Sequence, residues 1–298
     1  MEGKAPVVRK TKKNIKKTII TIVLCVFFVA IITFFVIVRN TGCFHYTYDF
    51  FFGDVSKDEV FNETFTENIT SIKVALDRGN IAINNSKDDA IHVKVYSYLN
   101  NVSVKSYNKK LTIVNDDKCD ICIGKTLTNI VVEVPNNFDG VLDITSDYGN
   151  TKIDDLSLCN MYLSTKFGNL ELDKGKNVYL DSRYGNNKVG NANILHMYER
   201  IGSVTIGEVN KLELESLLSD IDIKKINNYV KIDTSYGNVL IDELSLSADS
   251  QINIVNGNVT INGETKYNVL SKLYKGKNDT DYDYSLKVDI KTGSLKVK

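Results

Sequence analysis

The residue pair best spaced for chemistry is Cys119 and Cys122, in the stretch KCDICIG. Two thiols so placed can form a redox couple, half of a zinc site, or a disulfide that staples a turn. Zinc needs two further ligands, and no second CxxC or HxxxH is present. A thioredoxin-type couple needs a βαβ context, which this stretch lacks. The pair reads as structural thiols or a turn-stapling disulfide. Cys159 has no evident partner and reads as a small buried hydrophobe. His45, His92 and His196 are scattered, with no spacing that sets a nucleophile beside a base. Paired carboxylates such as Asp154 and Asp155 fall in turns and read as solvated. No catalytic, cofactor-binding or metal-binding residue is assigned, and the expectation is a protein without enzymatic activity or cofactor.

Two columns of residues remain, and both belong to a repeat. SDYGN (146–150), TKFGN (165–169), SRYGN (182–186) and TSYGN (234–238) recur, with degenerate copies ERIGS (199–203), SLLSD (216–220) and NIVNGN (253–258). Their Gly or Ser positions are 149, 168, 185, 202, 219, 237 and 257, spaced 17 to 20 residues apart. One column holds Tyr148, Phe167, Tyr184 and Tyr236. An exposed stripe of rings could stack on glycans, but alternation with Leu and Ile favours inward packing at the corner. The other column holds Asn150, Asn169, Asn186, Asn238 and Asn258, which turn geometry explains. A calcium-binding coil would place Asp at a fixed offset. The residue five past each repeat Gly varies instead, from Asp154 and Asp173 to Gly190, Gly207, Lys224, Asp242 and Asn262.

The elements that carry these columns are short strands. After each Gly, alternating and mostly apolar positions follow: Thr151/Ile153, Leu170/Leu172, Asn187/Val189, Val204/Ile206, Ile221/Ile223, Val239/Ile241 and Val259/Ile261. A turn follows, and a second strand leads to the next Gly, as in Met161-Leu163-Thr165-Phe167 and Val178-Leu180-Ser182-Tyr184. Period two marks a strand with one buried face. One rung of two strands cannot bury that face alone, so rungs must stack about 4.8 Å apart around a narrow core. The Gly supplies a corner with positive φ. The Ser/Thr column can bond hydroxyl to hydroxyl from rung to rung. Glu199 breaks that column: either its rung bulges outward or its carboxyl is buried and paired. The fold class is therefore all-β, a β-solenoid or β-helix-like stack of two-strand rungs with a period of about 17–20 residues, preceded by one transmembrane α-helix. Segments 72–83, 91–99, 102–107, 111–114 and 130–135 read as earlier strands, with Pro135 ending the last. Residues 284–297 give two more around Gly293.

The N-terminus is of another kind. Residues 1–17 hold seven Lys or Arg against Glu2, although the whole chain is neutral. Thr18 to Val38 follows, 21 residues without a charge, enough for a helix of roughly 31 Å across a bilayer. Basic residues before it orient the tail to the cytoplasm. Aromatics from Phe44 to Phe52 suit the interfacial belt. A cleaved signal peptide and a lipoprotein anchored at Cys43 are rival readings; the run is long for the first, and Arg39 and Asn40 disfavour the second. The expected organisation is a basic cytoplasmic tail (1–17), a transmembrane helix (18–38), a juxtamembrane linker (39–59) and an extracytoplasmic β-repeat domain (60–298). No basic folded face points to nucleic acid.

The succession IKVALDRGNIAI, then VVEVPNNFDGVLDITSDYGNTKI, then repeated S-x-Y-G-N rungs resembles a bacterial candidate-adhesin family of β-strand repeats, toastrack-like domains of unknown function. The resemblance covers roughly residues 60–298 and rests on a spacing of Gly-Asn turns, not on an active-site motif. It implies a solenoid-like fold at a bacterial membrane or surface. An adhesin-like binding module with a cell-wall or glycan ligand is the function it implies first. The alternative is an envelope-stress sensing or regulatory component acting through a membrane protein partner.

Overall fold

The computed structural model describes residues 58–97, 102–115, 128–264, 266–276, 278 and 282–298. Among them every regular element is a β-strand. The expected helix over 18–38, the basic tail, His45, Cys25, Cys43, Cys119 and Cys122 lie outside the described residues.

One end of the sheet is antiparallel. β1 (Glu59–Phe65) pairs with β3 (Ile91–Tyr96), and β3 with β6 (Thr128–Val134). β6 then runs parallel to the second half of β2 (Ser71–Asn85). The hairpin of β4 (Val102–Tyr107) and β5 (Lys110–Asn115) joins the first half of β2. Its turn residues Asn108 and Lys109 both have positive φ, 50° and 63°, the geometry that matches strand twist in a two-residue loop. These strands cover what would otherwise be an open edge of the repeat.

From β7 (Val141–Tyr148) onward, pairing is parallel, and partners lie one period apart until the last strands, where Ser250↔Leu286 and Val259↔Leu295 skip an insertion. β7 meets β8 (Thr151–Phe167) through Leu142↔Met161 and Ile144↔Leu163. β8 meets β9 (Leu170–Tyr236) through Met161↔Val178 and Leu163↔Leu180. β10 (Val239–Leu244), β11 (Ser250–Asn256) and β12 (Val259–Ile261) carry the register on. β13 (Asn268–Leu270), β14 (Ser285–Thr292) and β15 (Leu295–Val297) finish it. The turn expected inside each rung does not break the strand: β9 runs unbroken for 67 residues. The register steps between Leu156 and Asn160 of β8, where two extra residues are taken up against β9. β1 and β13 are short strands that the sequence pattern does not announce.

The core is two facing columns. Ile153, Leu172, Val189, Ile206, Ile223, Ile241 and Ile261 are each at most 1% exposed, and Leu142, Met161, Val178, Leu195, Leu212 and Val230 are at 0%. The glycine column has two causes. Gly149 adopts φ +134°, as a positive-φ corner requires. Gly185 shows no such φ, yet a Cβ there would sit 1.8 Å from the carbonyl oxygen of Gly168. Close backbone approach between rungs excludes a side chain even where the dihedral would allow one.

Beside the glycines, the asparagines form a ladder, in keeping with their turn role. The Asn169 N–H and side-chain amide donate to Asn150 Oδ1 at 3.0 and 3.2 Å, and the Asn186 N–H donates to Asn169 Oδ1 at 2.9 Å. The Ser/Thr column behaves otherwise. Its side chains point inward, but the hydroxyls of Ser146, Thr165 and Ser216 have no hydrogen-bond partner among the described residues. Equivalent atoms on neighbouring rungs sit about 4.8 Å apart, beyond hydroxyl reach. An amide, longer and with donor and acceptor side by side, spans the gap.

Candidate functional site

The aromatic column corrects an expectation. Tyr148, Phe167 and Tyr236 are 43%, 43% and 49% exposed rather than packed inward. The chain bends ahead of the corner glycine, so alternation ends at the Ser/Thr position and the next two residues both face out. The rings stack on one another: Tyr148 on Phe167 at 5.0 Å and Phe167 on Tyr184 at 4.9 Å, nearly parallel. The Arg78 guanidinium covers the other face of Tyr148 at 5.2 Å. Faces so covered cannot receive a sugar, and the ladder presents ring edges.

A second ladder was not apparent as a motif, because it sits mid-strand and ends in a histidine. Tyr162 stacks on Tyr179 at 5.1 Å and Tyr179 on His196 at 4.9 Å. Glu213 Oε2 lies 3.2 Å from His196 Nδ1 on the next rung. This ladder borders a shallow concavity of about 440 Å³ whose lining includes Asp181, Tyr198 and Glu215. A second concavity of about 660 Å³ adjoins it, sharing Tyr198, Glu215 and Asp233 and extending to Leu217 and Val255. Both lie on the outward face of the second strand of each rung. Most charges here are matched, rung to rung in Lys73 to Asp143 at 3.3 Å and Lys166 to Asp147 at 2.6 Å, and along one strand in Lys287 to Asp289 at 3.0 Å. Asp155, expected to be solvated, instead pairs with Lys174 at 2.6 Å, and that bond lowers its carboxyl pKa.

Glu199 resolves in favour of burial and pairing. It is 0% exposed, and the Asn187 amide donates both to its Oε2 and, at 2.9 Å, to Ser182 Oγ. Burial pushes the carboxyl up to about 7, against the hydrogen bonds from Ser182 and Asn187 and with repulsion from Asp181. Cys159 is fully buried, and desolvation raises its thiol to about 12, so it is an inert packing residue as expected.

One arrangement of catalytic type is brought together from three segments. His92 Nε2 lies 2.8 Å from Asp88 Oδ1, and His92 Nδ1 lies 2.9 Å from Thr64 Oγ1. Asp88 Oδ1 also accepts from Ala90 N and Ser86 Oγ, and these bonds, His92 foremost, hold the carboxyl at about 2. A reactive hydroxyl needs an oxyanion site and a concave surface. Thr64 stands exposed on edge strand β1, and neither concavity includes it. The cluster staples the turn before β3. No group of three or more metal-ligating side chains occurs among the described residues.

Residues 69–294 match the model of the Toastrack DUF4097 family. The chain belongs to that family. Solved structures similar to this Toastrack chain include a candidate adhesin from Bacteroides fragilis, 14% identical, covering 80% of this chain and 96% of its own, with a TM-score of 0.38. A candidate adhesin from Parabacteroides distasonis is 13% identical over 80% and 96%, with a TM-score of 0.39. A candidate cell adhesion protein from Clostridium sporogenes is 14% identical over 80% and 98%, with a TM-score of 0.26. No curated protein is recognisably related by sequence.

Proposed function

We propose that the protein is a non-enzymatic, membrane-anchored binding module of adhesin-like type. A helix at 18–38 would hold it in the membrane with residues 1–17 in the cytoplasm, and the β-solenoid domain from about residue 60 would be displayed outside. The observation that carries the binding role is the outward face of β8 and β9. There Tyr162, Tyr179, His196 and Tyr198 line adjoining concavities on a rigid parallel stack. Concave surfaces rich in aromatics with a few polar groups are where proteins take ligands.

A second reading has its own support. Leu217, Leu218, Tyr236 and Val255 are 40–49% exposed on neighbouring rungs, the kind of patch that a protein partner covers. This favours an envelope-stress or regulatory component working through a membrane protein. The test is full-length protein in detergent, used as bait against isolated cell wall and against solubilised membranes. Retention on wall without a protein partner supports the adhesin-like reading. Capture of one discrete membrane protein supports the other and overturns the first.

A further inference from the structure

Within the outward face, one group of side chains stands apart from its surroundings. Asp181, Tyr198 and Glu215 occupy the same column on consecutive rungs, 17 residues apart. The neighbouring charges are matched, as described above. Among the described residues the side chains of these three make no hydrogen bond, ion pair or ring contact. The ring of Tyr198 is 48% exposed and, unlike Tyr162 and Tyr179, carries no stacked partner. Both concavities reach it. Arg183 and Arg200, two residues further along the same strand face, are exposed and equally unpaired among the described residues.

We infer that Tyr198 is the platform of a binding subsite for a neutral oligosaccharide, with Asp181 and Glu215 accepting from its hydroxyls and Arg183 and Arg200 donating to them. The inference deepens the binding-module reading and rests on it. A sugar ring carries a face of weakly positive C–H groups, which suits the negative face of an uncovered aromatic ring. Its rim of hydroxyls needs both acceptors and donors, and two carboxylates with two guanidiniums supply both. Within this quartet two carboxylates balance two guanidiniums, and the rest of the first concavity adds Asp143, Glu213 and Asp233 against Lys231, so an anionic ligand is disfavoured and a neutral polyol finds both acceptors and donors. The rungs that line the first concavity run from Asp143 to Asp233. These six rungs give a track of roughly 24 Å at about 4.8 Å per step, long enough for a chain of sugars rather than one.

The test is calorimetric titration of the full chain in detergent with cellohexaose and with chitohexaose, alongside cosedimentation with isolated cell wall. Binding of either sugar is expected, weakened at least about ten-fold by Tyr198→Ala and within about two-fold of wild type for Tyr198→Phe, which keeps the ring. Asp181→Asn with Glu215→Gln should weaken it by several-fold. Tyr107→Ala, on the exposed hairpin strand β4, is the control and should change nothing. Sugar binding that survives Tyr198→Ala overturns the subsite. Wall cosedimentation without binding of either sugar overturns the ligand class while leaving the binding module standing. Neither sugar binding nor cosedimentation overturns both.

Discussion

At the scale of single residues, Glu199 is where the repeat departs from its own rule. From Ser146 to Thr234 the other members of its column are Ser or Thr, and a carboxyl there must shed its water. Its folded-state pKa lies near 7 against an ordinary 4.5. The unfolded chain therefore ionises first as pH rises. Stability from this group is full below about pH 4.5 and is lost as pH climbs through about 7, by about 3 kcal/mol in all. Glu199→Gln should match wild type in melting temperature at pH 4.5 and exceed it at pH 8. An equal gap at both pH values would show that the carboxyl is not buried. Asn187 shares the cluster and, like Thr151, is polar at a position where the remaining rungs of the repeat carry an apolar residue. Neither residue's environment could be read from the chain, because sequence shows that a column is broken but not whether its rung bulges.

At the scale of elements, two kinds of column hold the rungs, and they differ in how they fail. The apolar columns are legible from alternation alone. Leu212→Ala, at a fully buried site, should cost about 2–5 kcal/mol in chemical denaturation. The corner column is legible as glycine, but its reason is only half so. Positive φ explains Gly149, whereas Gly185 is required by the Gly168 carbonyl beneath it. Gly185→Ala should thus destabilise by well over about 1 kcal/mol; a neutral outcome in the same denaturation assay would mean the rungs can move apart. The outward turn of Tyr148 and Phe167 was not legible. Alternation predicts the inward face for them, and only the bend ahead of the glycine reverses it. The Tyr162–Tyr179–His196 ladder was hidden for a different reason: stacking depends on register, and a histidine completes a column of tyrosines only once the rungs are aligned.

At the scale of the whole molecule, the pairings tie each rung to its neighbours and the antiparallel strands β1, β3 and β6 to one end. Stability in such a stack is a sum of nearest-neighbour terms. In the proposed topology the seven basic residues before the apolar run at 18–38 set the polarity of the chain about a bilayer. Protease added to intact cells should therefore digest an epitope tag at residue 298 and spare one at residue 1. The reverse pattern would invert the topology. The most direct measurement of the binding role is cosedimentation of the full chain with isolated cell wall, comparing wild type with the variant Tyr162→Ala/Tyr179→Ala/Tyr198→Ala. These three side chains are exposed and lie outside the core, so the fold should persist, as circular dichroism can check. Wild type is expected in the pellet and the folded variant in the supernatant. Equal sedimentation of both would mean that the outward face of β8 and β9 is not where the protein binds.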